Sequence, residues 1–371
     1  MKKHYSTPTI AFFLFLGFFL LSPKLHYECL AQIRLHNPTG PWASDYRDVK
    51  EERDLVGIIT NNTFHLGTVK DRKIFWSKEY DDVSSFQLEK KRMAVVSKGQ
   101  LFVRGEYSRY DGYFWHKLHD NFTAYQLEPY RNRVGVLSQG TLYVKEGAPN
   151  RLWENLHQGV TNFQLKGKRI GVLTTDGKLK VKEGSLNELW VDEHNDVASF
   201  QLEGDRIGVL TKTGDLKVKE GSLSGLWVIQ HPGVASFQLS NNRIGVLTTA
   251  GEVKVKEGSL SELWVHQHND IASFKLEGDR IGVLTKAGDL KVKAGSLDRL
   301  WVPEHSNVVS FQLKNEFIGV LTTAGELKIK EGELNRLWDM TNPTTTAFQI
   351  ERMHVIDREL KENRKGFVWG K

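Results

Sequence analysis

Residues 197–231 read VASFQLEGDRIGVLTKTGDLKVKEGSLSGLWVIQH, and this stretch decides how the chain folds. It holds four short β-like runs, at 197–202, 206–211, 215–220 and 226–229. Turn-forming clusters separate them: Glu203-Gly204-Asp205, Thr213-Gly214-Asp215 and Gly221-Ser222. Nothing in the stretch has helical length or a 3.6-residue period. In Arg206-Ile207-Gly208-Val209-Leu210-Thr211 the apolar side chains point both ways, as a strand pressed between two neighbouring sheets requires. The glycine within it predicts a close approach by an adjacent sheet. Leu216-Lys217-Val218-Lys219 alternates instead, which predicts one buried and one wetted face near an outer rim.

The stretch is copied along the chain. Ser-Phe-Gln-Leu recurs at Phe86, Phe200, Phe237 and Phe311, with variants at Tyr125, Phe163, Phe274 and Phe348. A tryptophan keeps the same beat at Trp42, Trp76, Trp115, Trp153, Trp190, Trp227, Trp264, Trp301 and Trp338. From Trp153 onward every step is 37 residues. Four strands per repeat of about 37 residues is the arithmetic of a β-propeller blade, so the expected fold is an all-β propeller. A β-solenoid fits less well, because its coils are usually shorter and need no three tight hairpins per repeat. Strand sets from Leu55 to Leu321 make eight blades, and a degenerate ninth set follows at Phe348 and Met353 to Ile356. The expectation is therefore eight or nine blades, closed by pairing the N-terminal strand near Trp42 with the last partial set. Alternate units share Leu-Glu-Gly-Asp-Arg or Thr-Thr-Ala-Gly-Glu, so the most recent duplication spans two blades.

The chain has 371 residues, 39% hydrophobic and 26% charged, with one cysteine; this is globular composition and excludes disordered, collagenous and disulfide-scaffold classes. The formal charge of +6 is spread in alternating signs, without the basic patch and interleaved aromatics of a nucleic-acid binder. Residues 1–31 read as a secretory signal: Lys2 and Lys3, an uncharged apolar run at 10–21, and Cys29-Leu30-Ala31 before a cut. The run is shorter than a bilayer span, although an uncleaved N-terminal anchor is the second reading, and only that reading implies a membrane. Residues 32–371 then form one propeller domain without cysteine, and the expected location is secreted, periplasmic or cell-surface.

The unit W-x3-H-x2-V-x-S-F-Q-L-x3-R-I-G-V-L-T-x2-G-x-L-x-V-K-E-G resembles the tectonin-type propeller blade, over nearly the whole chain after the signal. The resemblance implies a lectin-like protein that recognises carbohydrate or lipopolysaccharide. Its R-I-G-V-L-T and K-V-K-E-G cores depart from the family pattern.

Polar positions repeat with the blades. Four residues after the tryptophan stand His119, His157, His194, His231, His268 and His305. The candidate ligand-binding residues are Trp190, His194, Trp227, His231, Trp264, His268, Trp301 and His305, one aromatic pair per blade. A tryptophan can stack on the C–H face of a sugar ring, or it can pack one blade on the next; the large area an indole buries favours packing. The histidines either face a ligand or brace a neighbouring loop, and bracing is the favoured role. One histidine per blade cannot supply the three or four converging ligands a metal needs. Lysine pairs such as Lys217/Lys219 and Lys254/Lys256 form a repeated belt that glutamates partly neutralise. They read as a solvated edge that discourages sheet pairing, or as contacts to an anionic glycan. Arg92, Arg133, Arg169, Arg206, Arg243 and Arg280 open the second strand, either paired to a neighbouring blade's glutamate or capturing an anion.

Enzyme signatures are missing: there is no G-x-S-x-G, H-E-x-x-H, phosphate loop or C-x-x-C. No cofactor is expected. Near-identical blades suit equivalent weak sites acting by avidity on an arrayed ligand. Three functions follow in order: a multivalent glycan binder, a protein-interaction or structural scaffold, and a hydrolase with an axial site.

Overall fold

In the computed structural model, residues 46–105, 114–148, 150–338 and 340–360 are described, with side chains from Glu52 to His354. The targeting segment, Cys29 and Trp42 lie outside them. The chain divides into a unit of residues 48–358 and a second unit of residues 1–47 and 359–371. The larger unit is built from eight four-stranded antiparallel sheets, and the described residues include no helix.

The blade that opened the sequence argument consists of Val197–Glu203, Arg206–Thr211, Leu216–Glu220 and Val228–His231, hydrogen-bonded in chain order. Its hairpins turn where the glycines stand: Gly204 and Gly214 adopt φ of 57° and 87°, a region that costs a side-chain-bearing residue strain. Second strands are buried along their whole length, at Arg169–Thr174, Arg206–Thr211 and Arg243–Thr248 alike. Each hydrophobic cluster joins one blade to the next. Leu173, Leu179 and Val181 of one blade pack with Val197, Phe200, Leu202, Ile207 and Val209 of its successor.

The glycine of the second strand is where that packing is tightest. A Cβ placed on Gly208 would lie 2.6 Å from Cε2 of Phe237 in the following blade. Gly171 meets Phe200 and Gly245 meets Phe274 in the same way. The expected close sheet approach is thus present, and its cause is the phenylalanine of the Ser-Phe-Gln-Leu motif one blade on.

Glutamine of the same motif ties the first strands together. The Gln201 side chain donates to the Leu239 carbonyl at 2.9 Å and accepts from the Leu239 amide at 2.8 Å. Gln238 repeats this on Leu276, and Gln312 on Ile350. One side-chain amide therefore satisfies both backbone groups of a residue in the next blade. Lys275 takes the glutamine position in one blade, where burial pulls its ammonium down from the usual lysine range.

Eight blades, not nine, close the ring. The ninth set seen in the sequence contributes a single strand, Ala347–Leu360, which becomes the first strand of the blade completed by Tyr46–Thr60, Thr63–Lys70 and Lys73–Tyr80. The N-terminal and C-terminal strands of the described residues are neighbours in that sheet, but the strand that closes the ring is Tyr46–Thr60, which carries the Leu55 to Ile59 run, and the expected Trp42 strand lies outside the described residues. Arg352 and Asp54 bind across the pair with two contacts of 2.9 and 3.0 Å.

The third strand corrects the sequence reading. Leu216 and Val218 are buried as alternation predicts, yet Lys219 is only 2% exposed and belongs to the core as well. The reason is a polar pocket between blades that accepts its ammonium.

Candidate functional site

Three kinds of polar site stand out in this fold: the seams between blades, an open groove beside His305, and the mouth of the axis.

At a seam the eight predicted residues come together, but across blades. His194 at the end of one blade stands edge-on to Trp227 of the next, with centroids 5.4 Å apart and planes at 84°. His231 meets Trp264 and His268 meets Trp301 likewise, while Trp190 is met by His157 and His305 meets Trp338. The Trp227 indole N–H donates to the Glu193 carbonyl of the preceding blade at 2.9 Å. The Lys219 ammonium sits 5.3 Å from the centre of the same indole, donates to the Leu223 carbonyl at 2.5 Å, and pairs with Glu193. The six tryptophans from Trp153 to Trp338 thus have the N–H committed to a neighbouring blade and one face under an ammonium, a desolvated cation–π contact.

The histidines are committed in the same manner. In His194, Nδ1 lies against the Asn195 carbonyl and Nε2 is 3.2 Å from Lys217 Nζ of the next blade. An ammonium only donates, so Nε2 accepts and the proton sits on Nδ1, directed at the carbonyl. His268 is held identically by Asn269 and by Lys291 at 3.1 Å. Among the described residues no group of three or more acidic, histidine or cysteine side chains is arranged to hold a metal ion.

The buried lysine of the seam meets different partners from blade to blade. Glu193 and Glu304 stand opposite Lys219 and Lys330, and burial pushes both carboxyls up from the usual range although the lysines pull them back. Gln230 and Gln267 occupy the same position one and two blades on from Glu193. There burial drives the Lys293 ammonium down to about 8, with Arg243 adding repulsion. The arginines were expected to pair with a neighbouring blade's glutamate or to capture anions. Arg243 instead binds its own blade's Glu257 at 3.0 Å and the Gly295 carbonyl of the next blade at 2.6 Å. Where Ala294 replaces that glutamate, Arg280 takes Glu316 of the next blade's turn at 3.0 Å and the Gly332 carbonyl at 2.7 Å. Glu183, Glu220 and Glu257, which follow the second lysine, therefore pair with Arg169, Arg206 and Arg243 of their own blades.

Beside the histidine lies an open groove. Asp289, Leu290, Lys291, Pro303, Glu304, His305 and Ser306 line a depression of about 310 Å³ on the face formed by the second-to-third-strand turns. Equivalent positions in the preceding blades carry Asp215, Lys217 and His231, and Glu252, Lys254 and His268.

At the axis mouth the charge changes from blade to blade. The last residue of successive first strands reads Glu89, Glu128, Lys166, Glu203, Ser240, Glu277 and Lys314, and Glu351 holds the equivalent position within Ala347–Leu360. Lys166 pairs with Glu203 at 3.0 Å and Lys314 with Glu351 at 2.9 Å. Burial, with the Glu351 carboxylate nearby, pushes Glu89 up to about 7 although Lys314 and Lys166 oppose it. Around Glu277, Lys314, Asn315, Glu351 and Arg352 there is a cavity of about 290 Å³. The sequence reading passed over these positions. Their signal was variation itself, one changing charge per otherwise near-identical unit.

No protein-family model matches the chain, and no curated protein matches it. Solved structures do. The apo form of AztD from Citrobacter koseri superposes with a TM-score of 0.58 at 9% identity, over 84% of this chain and all of that one. The computationally designed Ika8 protein gives 0.51 at 16% identity, over 73% and 91% of the two chains. A eukaryotic initiation factor gives 0.51 at 8% identity, over 81% and 97%. At these identities the likeness concerns the fold alone: the chain is an eight-bladed β-propeller, an architecture consistent with binding or scaffold roles.

Proposed function

We propose that this protein is a multivalent, lectin-like recognition propeller that binds a repeating glycan, with lipopolysaccharide within that class, through the grooves repeated beside its blade-terminal histidines. The observation that carries the reading is one polar groove, lined by Asp289, Lys291 and His305, whose acid, lysine and histidine recur in sequence at the matching positions of the preceding blades, as Glu252, Lys254 and His268 and as Asp215, Lys217 and His231. Such a groove offers carboxylate, ammonium and carbonyl partners to a polyhydroxylated ligand. The resemblance of the units to tectonin-type blades supports the same class, and a secreted or surface location fits the N-terminal apolar run. Equivalent weak sites gain about 10²- to 10⁴-fold in avidity when the ligand is itself an array.

In this reading the tryptophan and histidine rings shape the groove and join the blades, while sugar hydroxyls meet the acid and lysine side chains. The test is a glycan array probed with the full chain, followed by titration with a monovalent fragment of the best glycan. Several equivalents per chain support the reading. One equivalent points to the axis mouth, and no glycan binding leaves the scaffold role.

A further inference from the structure

In six blades the described residues between the third and fourth strands end in an exposed leucine, next to the seam tryptophan. Leu152, Leu189, Leu226, Leu263, Leu300 and Leu337 are 85–88% exposed, each immediately before the seam tryptophan. Phe75 and Phe114 hold the same position in the remaining two blades, at 59% and 46% exposure. The other leucine of such a loop does turn inward, as Leu186 does at 8% exposure. The outward leucines are thus not the residue of poor packing.

Strand direction puts all eight on one face. First-to-second and third-to-fourth connections lie together at one end of an antiparallel blade, so rotation about the axis sets these side chains on a circle at one height. Tyr130, 72% exposed, lies in a first-to-second connection on that face too. In the described loops of the opposite face, such as Thr211 to Asp215 and His231 to Val234, no large apolar side chain is exposed. Chain geometry adds an independent mark. Tyr46–Thr60 runs away from the leucine face toward the hairpin with Thr63, and Ala347–Leu360 runs back antiparallel to it, with Arg352 on Asp54. The start of Tyr46–Thr60 and the end of Ala347–Leu360 therefore lie toward the leucine end of their own blade, and the sequence ahead of Tyr46 contains the apolar run at residues 10–21.

We infer that this face docks on the surface of a lipid bilayer, its ring of leucines dipping into the boundary between headgroups and acyl chains. Apolar groups separated by polar Ser, Gly and Glu residues, at equal height on a circle, offer no continuous core to a folded partner. A fluid interface receives each of them in any register. The residues just before the leucines nearly balance in charge, with Arg151, Arg299 and Arg336 against Glu188 and Glu262, so attraction to anionic lipid is secondary.

The test uses the full chain in a Cys29→Ser background, carrying either Leu226→Cys or, on the opposite face, Thr213→Cys, labelled with an environment-sensitive dye. Added phosphatidylcholine vesicles are expected to blue-shift the dye at position 226 and leave it unchanged at 213, with little effect of salt or of added phosphatidylserine. Combined L189S, L226S, L263S and L300S substitutions, which touch no packed side chain, are expected to leave the melting curve in place and lower vesicle partitioning by about 100-fold or more. Partitioning that survives these substitutions, with the N-terminal run still present, overturns the inference. So do equal shifts at both positions, or a shift at 226 that needs no vesicles and grows with protein concentration, which marks docking between two copies.

Discussion

The Gln349 side chain holds both backbone groups of Leu88, donating to its carbonyl at 2.7 Å and accepting from its amide at 2.8 Å, across 261 residues of sequence. This is the same bidentate link that joins Gln201 to Leu239 inside the repeat array, here made between the last first-strand of the chain and the first complete blade. The ring is therefore fastened at its closure by the bond that fastens its other blades.

Gln349→Ala leaves a buried amide and carbonyl of Leu88 without partners, which costs about 1–3 kcal/mol for each group stranded. The expected outcome is a lower thermal midpoint by circular dichroism, at least as large as the fall caused by Gln201→Ala. An unchanged midpoint refutes a closing role for Gln349.

Gly208→Ala drives a methyl to 2.6 Å from Phe237 in the next blade. Overpacking of this kind costs about 1–3 kcal/mol, read as a lower denaturant midpoint. Adding Phe237→Leu is expected to recover part of the loss, since the partner ring is what the methyl strikes. A double mutant less stable than the sum of the singles contradicts that contact.

Gln267→Glu places a carboxylate opposite Lys293, as Glu193 stands opposite Lys219. With its folded pKa near 8 and an ordinary value of 10.5, Lys293 gives up its proton in the folded protein first. Wild-type stability therefore rises between pH 8 and 10.5, where the unfolded chain binds more protons, and below pH 8 the full cost of the buried charge is borne. The variant is expected to be more stable than wild type at pH 7, with the advantage shrinking toward pH 10.5. A pH-independent difference denies the coupling.

Glu89 has the opposite sign. Its folded value near 7 exceeds the ordinary 4.5, so the folded state holds the proton longer and stability falls as pH rises from 4.5 through 7. Glu89→Gln is expected to raise the melting midpoint at pH 8 and leave it nearly unchanged at pH 4. Equal effects at the two values exclude Glu89 as the titrating group.

Much of the fold was legible because a blade is a local object. Four runs and three turns in Val197 to His231 specify a sheet, and a 37-residue period specifies its repetition. What the sequence left open was set by contacts one blade away. Alternation in Leu216 to Lys219 misplaced Lys219, since its pocket is made by Glu193 and Trp227, 26 residues before it and 8 after it. Blade number stayed between eight and nine because a degenerate set and a split blade look alike until Ala347–Leu360 is seen beside Tyr46–Thr60. For the candidate site, the Trp and His positions were visible, whereas their pairing across blades was not: the partner of His194 is Trp227, not Trp190 of its own blade. The leucine ring had a sequence signal, an apolar residue before every tryptophan of the described blades, but its exposure depends on which way the loop turns.

Central to the functional account is the claim that several blades bind the same ligand independently. Isothermal titration of the full chain with a monovalent fragment of its best array glycan measures this directly. The account predicts three or more equivalents per chain, falling by about one when Asp289→Ala and Lys291→Ala disable a single groove. A single equivalent that these substitutions leave intact would contradict it.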